Sequence, residues 1–131
     1  MASRLGGKAR VVGCESPEEL SRMEPHDFAR LVIVEKMKGT INPKKSGDMG
    51  IDGWVGVMSV AVQVKRWKHK VGRPEVDKFK TAVERDRKGR GIIVAMDFSR
   101  DATNEVARIR AGGGVEIELR RVAEVFGWDG A

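Results

Sequence analysis

Three features of this 131-residue chain predict an α/β fold with a mixed central sheet flanked by helices. Residues 44–67 are Val-rich and alternating, punctuated by Gly47, Gly50 and Gly53, with a tight hairpin near Gly56. Residues 92–96 and 115–119 form two further apolar segments that enclose a stretch of helical periodicity. Strands separated by a helix run parallel through a right-handed crossover, whereas a short turn joins antiparallel neighbours.

The elements follow in chain order. Residues 1–15, with Gly6-Gly7 and scattered basic residues, read as an arm outside the packed domain, which is expected to span 16–131. Ser16-Pro17-Glu18-Glu19 carries a Ser cap, Pro at the first helical position and Glu three residues after the cap. Pro25 opens a second helix bearing Phe28, Leu31, Val32 and Met37, with Gly39 as its stop. The β segment begins at Lys44. Residues 74–88 form the clearest helix, with Val76, Phe79, Ala82 and Val83 on one face and Gly89 as its stop. The run 92–96 is continuously apolar, as in a strand covered on both faces. Ser99 caps the next helix, which Gly112-Gly113-Gly114 ends. Val115, Ile117 and Leu119 alternate with Glu116 and Glu118 as a half-buried strand, and a last helical turn covers 122–126.

Composition narrows the function classes. With 40% hydrophobic and 34% charged residues, the chain reads as a soluble domain with a heavily charged surface. No apolar run approaches a membrane span and no signal-peptide core is present, so a cytoplasmic location without membrane contact is expected. The lone Cys14 excludes an internal disulfide framework and leaves no Cys/His cluster for zinc. A net charge of +6 suits a polyanionic partner. Arg66, Lys68, His69, Lys70 and Arg73 crowd one short segment, the candidate DNA contact; a solvated charged face is the bland alternative.

The candidate site lies around Asp52, Gln63 and Lys65. Val60, Val62 and Val64 share one strand face, so Gln63 and Lys65 share the other. The hairpin folds Asp52 back toward that polar face. Read alone, Asp52-Gly53 is a common turn pair. A Val-rich strand, however, has little structural use for Gln and Lys, and a buried lysine is expensive unless paired. A carboxylate and an amide oxygen can hold Mg²⁺, a hard cation with oxygen ligands, and the ammonium can stabilise phosphate charge. Asp48, in the same bend, is a candidate further metal acid; a solvated turn residue reads equally well. His26 and His69 have no acid–base partner in sequence, and Trp67 reads as packing on the sheet edge.

These motifs resemble the PD-(D/E)xK nuclease superfamily, specifically its Mrr-type restriction endonuclease branch, found alone or fused to DNA methyltransferases. The resemblance rests on Gly47-Asp48-Met49-Gly50-Ile51-Asp52-Gly53, on Gln63-Val64-Lys65, and on Gly72-Arg73 followed by Val76 and Phe79, and it covers residues 25–126. It implies a restriction-endonuclease-like αβββαβ core and a Mg²⁺-dependent endodeoxyribonuclease in which Mn²⁺ substitutes. Asp52, Gln63 and the Val64 backbone carbonyl would be the metal ligands, with Lys65 activating the nucleophile. DNA is the implied partner, a homodimer the implied route to double-strand cutting, and a DNA methyltransferase a possible companion. Where family members carry a helix Glu after the phenylalanine matching Phe28, this chain has Ala29; Glu35 is the substitute on that helix, with a surface charge as its plainer reading. A resolvase of Holliday junctions or branched DNA, and a catalytically inactive DNA-binding module, are the rival functions.

Overall fold

The computed structural model describes residues 16–44 and 50–128. The arm expected at 1–15, Cys14 and Asp48 all lie outside the described residues. Helix α1 (Pro17–Ser21) starts with the full capping box between Ser16 and Glu19. Helix α2 (Pro25–Arg30) passes directly into a π turn over Leu31–Lys36. Strands β1 (Thr40–Ile41), β2 (Gly53–Val55) and β3 (Val60–Val64) follow, then α3 (Arg73–Asp86), β4 (Arg90–Ala95), α4 (Arg100–Ala111), β5 (Glu116–Arg121) and α5 (Val122–Phe126).

The five strands form one sheet in the order β1-β2-β3-β4-β5. The β1–β2 and β2–β3 pairs are antiparallel, and β3–β4 and β4–β5 are parallel, so the sheet is mixed. Alternation along the inner strands sends side chains to two cores. Ala61, Ile93 and Ile117 meet Val76, Phe79 and Val83 of α3 and Val106 and Ile109 of α4. Val62, Ile92 and Val94 meet Leu20, Phe28, Val32, Ile33 and Val122. A strand buried on both faces needs apolar residues at consecutive positions, which explains the uninterrupted run in β4. No helix among the described residues is long and apolar enough to cross a membrane.

Three boundaries differ from the sequence expectation. The second helix widens after Arg30, with Met37 N–H donating to the Val32 carbonyl at 2.9 Å. Val32 and Ile33, both within this wider turn, are completely buried against the sheet. The first strand lies at Thr40–Ile41, ahead of Lys44, and is too short for alternation to reveal; its pairing with Trp54 and Gly53 defines it. Helix α3 stops at Asp86 because Arg87 adopts the left-handed region at φ 64°.

The glycine after Asp52 has a steric role. A Cβ at Gly53 would meet the Thr40 carbonyl oxygen and the Ile33 side chain, the latter at 3.0 Å. Gly53→Ala is therefore expected to lower stability by about 1–3 kcal/mol through overpacking. Urea unfolding checks this; an unchanged midpoint would mean that β1 shifts freely away from β2.

Candidate active site

The site forms where β2 and β3 part. Asp52, just ahead of β2, still belongs to the ladder through its backbone: its N–H donates to the Val62 carbonyl at 2.8 Å, and its carbonyl accepts from Asn42 N–H at 2.8 Å. The next partner on β3 is Val64, whose N–H is met by the Asp52 side chain instead. Oδ2 accepts that hydrogen bond at 2.7 Å. The bend before Asp52 is tied by Asn42 Nδ2 donating to the Ile51 carbonyl at 2.9 Å. Lys65 N–H donates to the Val94 carbonyl, so by alternation the Val64 carbonyl faces the side on which β2 has diverged.

Beyond this fork is a cavity of about 260 Å³. Asp52, Gln63, Val64 and Lys65 line it, with Pro25 and Phe28 closing it from α2 and Trp67 from the exit of β3. Gln63 Oε1 is buried without a hydrogen-bond partner among the described residues. Its Nε2 is turned toward Gly50, where an added Cβ would come within 3.3 Å. An unsatisfied buried acceptor costs about 1–3 kcal/mol, and a cation would satisfy it. The oxygen set of Asp52, Gln63 and Val64 thus fits a hard divalent ion that completes its shell with water. No group of three His, Cys, Asp or Glu capable of holding a metal occurs among the described residues, so the amide and carbonyl oxygens are needed.

Burial pushes the Asp52 carboxyl above the usual aspartate value, opposed by the Val64 hydrogen bond and by the charges of Lys65 and His26. His26 is therefore electrostatically part of the site although sequence spacing gave it no partner. Lys65 Nζ lies 3.6 Å from Glu75 Oε1 and 4.8 Å from the Trp67 ring centroid. Glu75 was missed at the level of sequence, because its helix position carries no motif that links it to Lys65.

The basic segment divides into two groups. Arg66 Nη1 donates to the Ser21 carbonyl at 2.8 Å, and its buried Nε has no partner among the described residues, so this side chain ties the exit of β3 to α1 at the cavity wall. Arg73 Nε lies 3.5 Å from Asp77 Oδ2 and 3.3 Å from Glu105 Oε1. Glu105 is buried and also takes Arg108 at 2.6 Å, so Arg73 belongs to an ion network between α3 and α4. Lys68, His69 and Lys70 are exposed. His69 stacks on Trp67 at 4.6 Å between centroids and 20° between planes, which gives Trp67 a place in the cavity wall. Ala29 is buried and offers no ligand atom, and Glu35 is exposed.

A family model described as restriction endonuclease matches residues 20–126. Over 54 residues the chain is 41% identical to the type IV methyl-directed restriction enzyme EcoKMrr of Escherichia coli (strain K12). That stretch covers 37% of this chain and 18% of the relative, so the match spans under a fifth of the curated protein. No solved structure matches the chain.

The raised Asp52 carboxyl has a direct consequence for stability without metal. A group whose pKa is higher folded than unfolded gives stability that is full below the unfolded value, 3.8 here, and is lost as pH rises through the folded value. At neutral pH the ionised Asp52 is thus a burden on the fold. Asn at this position retains an oxygen acceptor for Val64 N–H and does not titrate. Asp52→Asn is expected to melt higher than wild type at pH 7 in EDTA, with the gap closing as pH falls toward 4. A lower melting temperature at pH 7 would contradict this electrostatic assignment.

Proposed function

The chain belongs to the Mrr-type restriction endonuclease family, and from that premise we propose that it is a Mg²⁺-dependent endodeoxyribonuclease. The observation that carries the reading is the buried oxygen of Gln63, without a partner among the described residues, on a residue that lines one cavity with Asp52 and Lys65. Such a pairing is costly for a purely structural pocket and useful for holding a cation beside a phosphate.

Asp52, Gln63 and the Val64 carbonyl would hold Mg²⁺ or Mn²⁺, which when bound supplies Lewis acidity and a more acidic water. The protein residues then have separate tasks. The Val64 N–H keeps the Asp52 carboxylate aimed into the cavity. Lys65 orients the attacking water, which gives up a proton to solvent, and neutralises charge that builds on the phosphate as the new O–P bond forms and the P–O ester bond breaks, the leaving oxygen taking a proton from solvent. Exposed Lys68, His69 and Lys70 lead away from the cavity as a track for neighbouring phosphates. One site cuts one strand, so double-strand cutting needs a homodimer or two successive events. A methyltransferase partner and methyl-directed choice of DNA, which the Escherichia coli relative's name states for that enzyme, extend the same proposal.

The second reading is a DNA-binding module without catalysis, favoured by the buried Ala29 on α2. Incubation with supercoiled plasmid in Mg²⁺, Mn²⁺ or EDTA separates the two. Nicking that requires the metal is expected, and salt-sensitive binding with no nicking in any buffer selects the binding module. Lys65→Ala is expected to remove at least ~10²-fold of the cleavage rate while the protein stays folded and binds duplex. A folded Lys65→Ala protein that nicks at the wild-type rate would exclude this lysine from the chemistry.

DNA affinity separates the two groups of basic residues. Replacing Lys68 and Lys70 by Gln should reduce the slope of log affinity against log salt by about 2, near 0.9 per phosphate contact, with little thermal effect. Arg73→Gln should instead leave the slope unchanged and lower the melting temperature. The reverse pattern would move the DNA surface to α3.

A further inference from the structure

We propose that Glu75 is a positioning residue for this reaction, holding the Lys65 ammonium over the cavity with the Trp67 ring as a second wall. The proposal rests on the nuclease reading above and deepens it.

Lysine has a flexible four-carbon stem, and a catalytic lysine must be confined to be useful. Two contacts confine Lys65. Glu75 Oε1 lies 3.6 Å from Nζ, and only 22% of the Lys65 side chain and 20% of the Glu75 side chain are exposed. The Trp67 ring lies 4.8 Å from the same nitrogen and is itself backed by His69. Glu75 is well anchored for this task. It sits in the first turn of the fourteen-residue helix α3, where the helix dipole favours a carboxylate, and its N–H donates to the Gly72 carbonyl at 3.2 Å. The preceding Val71 is fully buried and bonds on both sides to the loop after β4, through Asp97 and Ser99.

The helix dipole gives only a modest reason for an acid at this position. A carboxylate close to a phosphate-binding cavity repels the substrate, so a bystander here would weaken DNA binding for a small gain in helix stability. Pairing with Lys65 removes that contradiction. It also separates positioning from binding in an experiment, since neutralising Glu75 should harm turnover without harming affinity.

The test compares wild type, Glu75→Gln, Trp67→Leu and Lys65→Ala. Single-turnover cleavage of supercoiled plasmid in Mg²⁺ is measured beside duplex affinity in Ca²⁺ and the ¹⁵N-lysine NMR signal of Lys65 Nζ, assigned by its loss in Lys65→Ala. Glu75→Gln should slow cleavage by about 10- to 100-fold, the scale expected when a catalytic group is misplaced. Duplex affinity should be unchanged or tighter, the melting temperature close to wild type, and the Lys65 Nζ signal shifted and more mobile. Trp67→Leu should move rate and signal in the same direction by a smaller factor. A folded Glu75→Gln protein with wild-type turnover and an unmoved Nζ signal overturns the proposal. So does weaker duplex binding with turnover intact, which would make Glu75 part of the binding surface. Wild-type nicking by Lys65→Ala also overturns it, since there is then no catalytic lysine to position, whereas the absence of metal-dependent nicking by the wild-type protein would bring down the nuclease reading itself, so the two failures are distinguishable.

Discussion

The hydrogen bond from Val64 N–H to Asp52 Oδ2 is the constraint on which the site depends. It occupies the point where a backbone partner would stand if β2 ran further along β3. A side chain thereby ends the ladder without leaving a buried donor unpaired, and the strands can separate into a cavity. The same bond fixes the orientation of the carboxylate relative to Gln63 and Lys65 on the neighbouring strand. Because β3 lies at the centre of the sheet and is covered on both faces, that geometry inherits the rigidity of the two cores.

The site carries features that work against folding. The Asp52 carboxyl is desolvated, and an oxygen of Gln63 is buried without a partner among the described residues. Packing offsets this on either side: Phe79, Val76 and Val83 seal one face of the sheet, and Phe28, Val32 and Ile33 the other. A desolvated carboxylate and a buried amide oxygen side by side in one cleft of a well-packed domain are a pattern expected of a binding or catalytic site. The buried Ala29 leaves α2 without an acid at that position, so in the proposed reading Asp52 and Gln63 carry more of the metal binding.

Much of this arrangement is legible in the sequence, and the legible part is local. Valine alternation puts Gln63 and Lys65 on one face, the glycine-framed Asp52 marks the return of a hairpin, and Ser16 and Ser99 mark helix starts. What the sequence hides depends on contacts between distant segments. Arg66 and Arg73 look like their basic neighbours, yet one bonds to Ser21 and the other is drawn into the ion network of the buried Glu105. Glu75 looks like an ordinary first-turn acid until the sheet brings Lys65 to it. The π turn after Arg30 and the two-residue β1 answer to packing and pairing, which periodicity over so few residues cannot register.

Crystals grown with Mn²⁺ and measured at the manganese absorption edge offer the most direct measurement of the central claim. An anomalous peak within bonding distance of an Asp52 carboxylate oxygen and of Gln63 Oε1 is the expected result, with Lys65 Nζ facing the same cavity. A well-ordered site in which Gln63 Oε1 bonds only to protein or water, with manganese elsewhere or absent at saturating concentration, would contradict it.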